Sequence, residues 1–258
     1  MSESEKVIGQ CPLCRREDQV LCESHFIPAA LYPTKRQEPD SRFSTLDQVY
    51  RDPHEEVKEP LLCGDCEQRL SQNGESEVLL WISSKAKVFK LRDQITRLKP
   101  FEQHHELSRY RVSDIGISAE KFAYFAVSVV WRAAVHQWRL RNGVLSTQLD
   151  LGEHAERIRR YLMQEEPFPK DILAVVVIVS SDREGREVWG IPGQFQEAGC
   201  ENFRFVCRGV IFRVALGRTI DPMVRDGCCV GTGLVFYGDL SRNIRRDFPV
   251  VFDEPVDT

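Results

Sequence analysis

The chain has no run approaching the roughly 18 uncharged apolar residues that a membrane-spanning helix needs, so no membrane partner is expected. It lacks a basic and then apolar start: "MSESEKVIGQ" is acidic and polar where a secretory signal would be the reverse, and the expectation is a cytoplasmic protein. It lacks a large excess of either charge, with 35 Lys and Arg against 39 Asp and Glu, which argues against indiscriminate coating of nucleic acid. The glycine-rich stretch "DGCCVGTGLVFYGD" at 226–239 lacks the lysine–hydroxyl pair of a phosphate loop. No internal repeat is present.

What is there suits a globular chain of one large domain or two to three small ones: 258 residues, 42% apolar and 29% charged. The nine cysteines are an odd number, and four of them form two CxxC pairs, in "CPLC" at 11–14 and "LLCGDC" at 61–66. In a reducing compartment such pairs hold metal rather than form disulfides. Cys11, Cys14, Cys63 and Cys66 would supply the four thiolates that close a structural zinc site. Cys207 lies in an alternating apolar pattern and reads as a small buried hydrophobe. Cys228 and Cys229 belong to no motif.

Three regions follow in order. Residues 1–74 are rich in cysteine, proline and polar residues, poor in aliphatic ones, and need a metal to hold them together. Within them, 34–60 reads as a long insertion interrupted by Pro39, Pro53 and Pro60. Residues 75–166 read as a helical middle: one helix over 75–98, a central helix capped by Ser118 and closed by Gly143, and a third from Asp150, with Glu153 completing a capping box. The central helix is apolar on two sides and so should be buried. Residues 167–258 read as an antiparallel or mixed sheet. "ILAVVVIV" at 172–179 is a strand buried on both faces, "FRFVCRGVIFRVAL" bends at Gly209, and "GLVFYG" and "FPVVF" add short strands. The fold class is α+β.

The order "CPLC", "SHFIP", "LLCGDC" resembles the zinc-containing branch of the HNH, or ββα-metal, endonuclease superfamily over residues 11–70. The resemblance implies an N-terminal zinc-stabilised ββα (treble-clef-like) module with nuclease chemistry. In that scheme His25 matches the general base that deprotonates the attacking water, and Glu67 matches a ligand of a catalytic Mg2+ or Mn2+ ion. Two positions depart from the family. Ser24 stands where the family commonly has an acidic or histidine metal ligand, and Lys58 stands near the family's asparagine. His54, Glu55, Glu56 or Asp65 would have to complete the ion's ligands. His25 can equally be read as structural, at the zinc or before Pro28, and Glu67 as a carboxylate serving a helix dipole.

Outside the module, Lys85, Lys87, Lys90, Arg92, Arg97 and Lys99 against Asp93 would make a phosphate-contacting helix face, or simply a solvated one. The "HHE" at 104–106 reads as a surface patch, and His136 and Trp138 as packing. Two functions remain open: an HNH-like hydrolase acting on nucleic acid, and a non-catalytic zinc adaptor whose sheet binds a protein partner.

Overall fold

The computed structural model describes residues 6–32, 42–44, 49–50, 56–82, 89–104, 107–139, 148–181, 188–197 and 199–239. The elements in chain order are strands β1 (Ile8–Gly9), β2 (Gln19–His25), β3 (Arg42–Ser44), β4 (Val49–Tyr50) and β5 (Lys58–Cys63), then helices α1 (Gly64–Leu70), α2 (Ser76–Ile82) and α3 (Lys90–Ile95). Strands β6 (Glu102–His104) and β7 (Leu107–Arg111) lead into α4 (Val112–Ile115), the long α5 (Ala119–Val135) and α6 (Ala155–Leu162). Strands β8 (Leu173–Ser180), β9 (Val188–Glu197), β10 (Cys200–Cys207) and β11 (Val210–Leu216) precede α7 (Pro222–Asp226) and β12 (Leu234–Gly238).

Two sheets result. A small antiparallel one has the order β1-β2-β5, and a mixed nine-stranded one runs β4-β3-β9-β10-β11-β8-β12-β7-β6. The α+β class is therefore observed. The large sheet draws strands from all three regions: β3 and β4 come from the stretch expected to be an insertion, and β6 and β7 from the expected helical middle. At its centre, β10 and β11 form a hairpin through Arg208 and Gly209. Both have positive φ, 49° and 78°, as a two-residue hairpin whose twist matches its strands requires. The bend expected at Gly209 is this turn.

The central helix lies on the sheet. Phe122 and Phe125 of α5 meet Phe205 and Phe212, whose rings stack on each other at 4.9 Å. One face of β8 (Leu173, Val175, Val177, Val179) belongs to this main core, and Ala174 and Val176 on the other face pack with Cys200, Ala215, Ile220, Val224 and Cys228. Cover on both faces explains the unbroken apolar run. Cys207 is fully buried in the main core, as expected.

Three helix expectations are corrected. The helix over 75–98 is not continuous: α2 follows α1 through a π-helical turn at Ser71–Glu75, and α3 is separate, with Phe89 before it at the non-helical φ −95°, ψ 81°. Lys85 and Lys87 lie outside the described residues, as does the expected strand "FPVVF". The central helix keeps its Ser118 cap, which accepts from the Lys121 N–H, but ends at Val135 rather than near Gly143. The cause is the returning chain. Trp138 Nε1–H donates to the Arg132 carbonyl at 2.9 Å, and Gln148 Nε2–H and Leu149 N–H donate to the Ala134 and Ala133 carbonyls, satisfying the last turn from outside the helix. Finally, Asp150 Oδ1 accepts from Gly152 N–H at 2.7 Å, but Glu153 closes no capping box and pairs with Arg218 instead. A 3-10 turn at Gly152–His154 precedes α6.

Candidate metal centre and the polar cluster behind it

A tight turn after β1 carries Cys11 and Cys14, with Arg15 N–H bonded to the Cys11 carbonyl at 2.7 Å and Cys11 N–H to the Arg16 carbonyl at 3.0 Å. Cys63 ends β5 and Cys66 sits in the first turn of α1. The four sulfur atoms all lie within 4.8 Å of one another. Four thiolates around a tetrahedral zinc with Zn–S near 2.3 Å have S···S edges of about 3.8 Å, and Cys14 Sγ lies 3.8 Å from Cys63 Sγ. That separation is far beyond the roughly 2.05 Å of a disulfide, and all nine cysteines are free thiols. Three of the four are buried. The set therefore fits a closed structural zinc site in ligand type, spacing and burial.

The surroundings favour a thiolate at Cys11 and oppose one at Cys63, where burial pushes the thiol up, and at Cys66, which its hydrogen bond with Cys11 chiefly raises. The Cys11 thiol is held well below the ordinary thiol range, chiefly by its hydrogen bond with Cys66 and against the opposing effect of burial. Cys63 N–H also donates to Cys11 Sγ at 3.4 Å. The Arg16 guanidinium donates to Cys14 Sγ at 3.4 Å and Cys63 Sγ at 3.6 Å, and pairs with Asp65 at 2.5 Å. A cation there would offset the net negative charge of four thiolates on one divalent ion, and the same guanidinium already engages Asp65.

Behind the cysteines lies a second polar cluster. Ser24, fully buried, accepts from Leu62 N–H at 3.0 Å and donates to Glu67 Oε1. It thereby ties β2, β5 and α1 together and holds the carboxylate that the sequence suggested as a metal ligand. Burial pushes the Glu67 carboxyl up, with Arg132 and the Ser24 hydroxyl pulling it back. Arg132, on α5 and 1% exposed, pairs with Glu75 and donates to the His25 carbonyl at 3.2 Å. Burial works against its charge, but Glu75 and Glu67 more than compensate, so the guanidinium stays ionised. One guanidinium thus links the strand carrying His25, the π turn and the central helix.

The His25 side chain is only partly buried, with Nε2 3.1 Å from Glu56 Oε2. Lys58, opposite His25 in the β2–β5 register, turns its ammonium to Glu23 at 2.9 Å. His54 and Glu55 lie outside the described residues. Among the described residues the four cysteines are the only group of three or more metal-ligating side chains whose donor atoms converge. Of the expected phosphate-contacting residues, Lys90 places its ammonium over the Trp81 ring at 4.1 Å, and Arg92, 17% exposed, reaches Asp93 at 4.0 Å. Two clefts, of about 370 Å³ near Ala134 and Leu149 and about 250 Å³ near Glu153 and Cys200, are lined by neither His25 nor Glu67.

Sequence reasoning missed Arg132 and Glu75. The available signal was Arg132 itself, a cation in a helix apolar on two sides, because a buried charge requires a partner. No helix among the described residues is long and apolar enough to cross a membrane. Compared with protein-family models, curated proteins and solved structures, the chain matches none.

Proposed function

We propose that Cys11, Cys14, Cys63 and Cys66 bind one structural Zn2+, and that the treble-clef-like module they hold is a non-catalytic clip within a binding protein. The zinc would supply cross-linking of the turn, β5 and α1, a region short of aliphatic residues, and no redox or Lewis-acid chemistry is required of it. The observation that carries the non-catalytic reading is Arg132. A buried guanidinium faces Glu75, Glu67 and the His25 carbonyl, so the carboxylates behind His25 already have a resident cation. Glu67 is further engaged by Ser24. A divalent ion at this place would meet an immobile positive charge, and at about 4 Å like unit charges repel by several kcal/mol at an effective dielectric near 20.

One observation favours a second reading, HNH-type phosphodiester hydrolysis. The His25 imidazole is partly exposed and in contact with Glu56, and a carboxylate-oriented imidazole is the form a general base takes. The two readings separate in a cleavage assay on single- and double-stranded DNA and on RNA, with Mg2+ or Mn2+. The clip reading expects no cleavage by the native protein. Metal-dependent cleavage that His25→Ala lowers by about 10²–10⁴-fold, with zinc content unchanged, would replace it with the hydrolytic one.

A further inference from the structure

The turn that joins α3 to β6 carries features that neither reading uses. Leu98 packs onto the main core, and its neighbours Arg97 and Lys99 are exposed. Phe101 follows, 52% exposed although large and apolar. Its position is fixed: its N–H donates to the Arg109 carbonyl at 2.8 Å, and the Arg111 guanidinium lies over its ring at 4.1 Å. Arg109 beside it is held by Glu102 at 2.9 Å. Arg97, Lys99 and Arg111 have no acidic partner among the described residues. Three cations without an acidic partner among the described residues and a half-exposed ring therefore lie close together: Arg111 touches the ring, and Arg97 and Lys99 are within about 14 Å of it along the chain.

We propose that Arg97, Lys99, Phe101 and Arg111 form a binding surface for single-stranded nucleic acid, with phosphates on the three cations and a base stacked on Phe101. The ring decides between occupants. An acidic peptide would use the cations and leave Phe101 idle, and a duplex keeps its bases stacked internally. A single strand offers both an anionic backbone and a free base face, the pairing of charge and aromatic stacking that such sites use. Guanidinium stacking on the ring adds a cation–π contact and limits its motion before binding. Of the face read in the sequence this surface keeps Arg97 and Lys99; Arg92 is paired with Asp93, and Lys90 lies over the Trp81 ring rather than that of Phe101.

The test is fluorescence anisotropy of labelled oligo(dT) and oligo(U) with the full chain at low salt. The native protein should bind, and Phe101→Ala should weaken binding by about tenfold while Phe101→Trp retains it, given the usual worth of one stacked base. Replacing Arg97, Lys99 and Arg111 together by glutamine should reduce the slope of log affinity against log salt by about two, at about 0.7 per phosphate of a single strand. All four side chains are at the surface, so circular dichroism and zinc content should match the native protein. No binding by the native chain, unchanged affinity of Phe101→Ala, or equal competition by polyglutamate would overturn the proposal, the last in favour of an acidic peptide.

Discussion

At the scale of single residues, Arg132 bears the most consequence. It is buried between Glu75, the His25 carbonyl and the field of Glu67, so its removal leaves two carboxylates without their cation. Breaking a buried pair from one side costs about 3–5 kcal/mol, because the remaining charge stays desolvated. Arg132→Met should therefore lower the urea midpoint by that equivalent with an unchanged slope, whereas Glu75→Gln, which keeps the shape and a polar oxygen, should cost less. A loss under about 1 kcal/mol for Arg132→Met would mean that the cluster does not join the module to the helix. Little of this cluster was legible in the sequence. Arg132 stands 57 residues from Glu75 and 107 from His25, and neither local periodicity nor motif spacing relates residues so far apart. The cysteines were legible because two of the contacts in a zinc site are local: each CxxC brings its own pair together.

At the scale of elements, the passage from α1 to α2 is the feature that depends most on one position. Its π turn brings Gly74 against α5, where a Cβ on Gly74 would come within 2.8 Å of Phe125 N and 3.0 Å of its Cα. Both are helix backbone and cannot yield as a flexible side chain would. Gly74→Ala should destabilise the protein by about 1–3 kcal/mol, the usual cost of overpacking, visible as a lower melting temperature with zinc still bound. A melting temperature equal to the native one would show that the helices part without cost. Helix and strand identities were legible where a period repeated over many residues, as in the central helix and the run at 172–179. Ends and interruptions were not. The central helix stops at Val135 because Trp138, Gln148 and Leu149 satisfy its last carbonyls, and the stretch from Ser76 divides at Phe89, where the apolar spacing gives no sign of a break.

At the scale of the whole molecule, the zinc-binding end is packed into the rest of the fold. One apolar core includes Cys11 and Leu13 at one end of the chain and Val235 near the other. Polar ties add to it: Arg159 donates to the Leu13 carbonyl at 2.8 Å, Arg15 pairs with Glu156, and Arg69 donates to the Met163 carbonyl at 3.1 Å. The small sheet contributes few aliphatic residues to this core, so a metal at the tetracysteine site would be what holds it. Metal loss should then be felt beyond the module, because Arg132 and α6 lose the surfaces they grip. Chelation should lower the stability of the whole chain in one transition, and two well-separated transitions would instead indicate a module that folds by itself. The most direct measurement is the zinc content of the purified protein beside that of Cys63→Ser. One zinc per native chain and none in the variant is expected, with the variant less stable; a native chain that is folded without zinc, or a variant that retains it in full, would contradict a structural zinc held by these four cysteines.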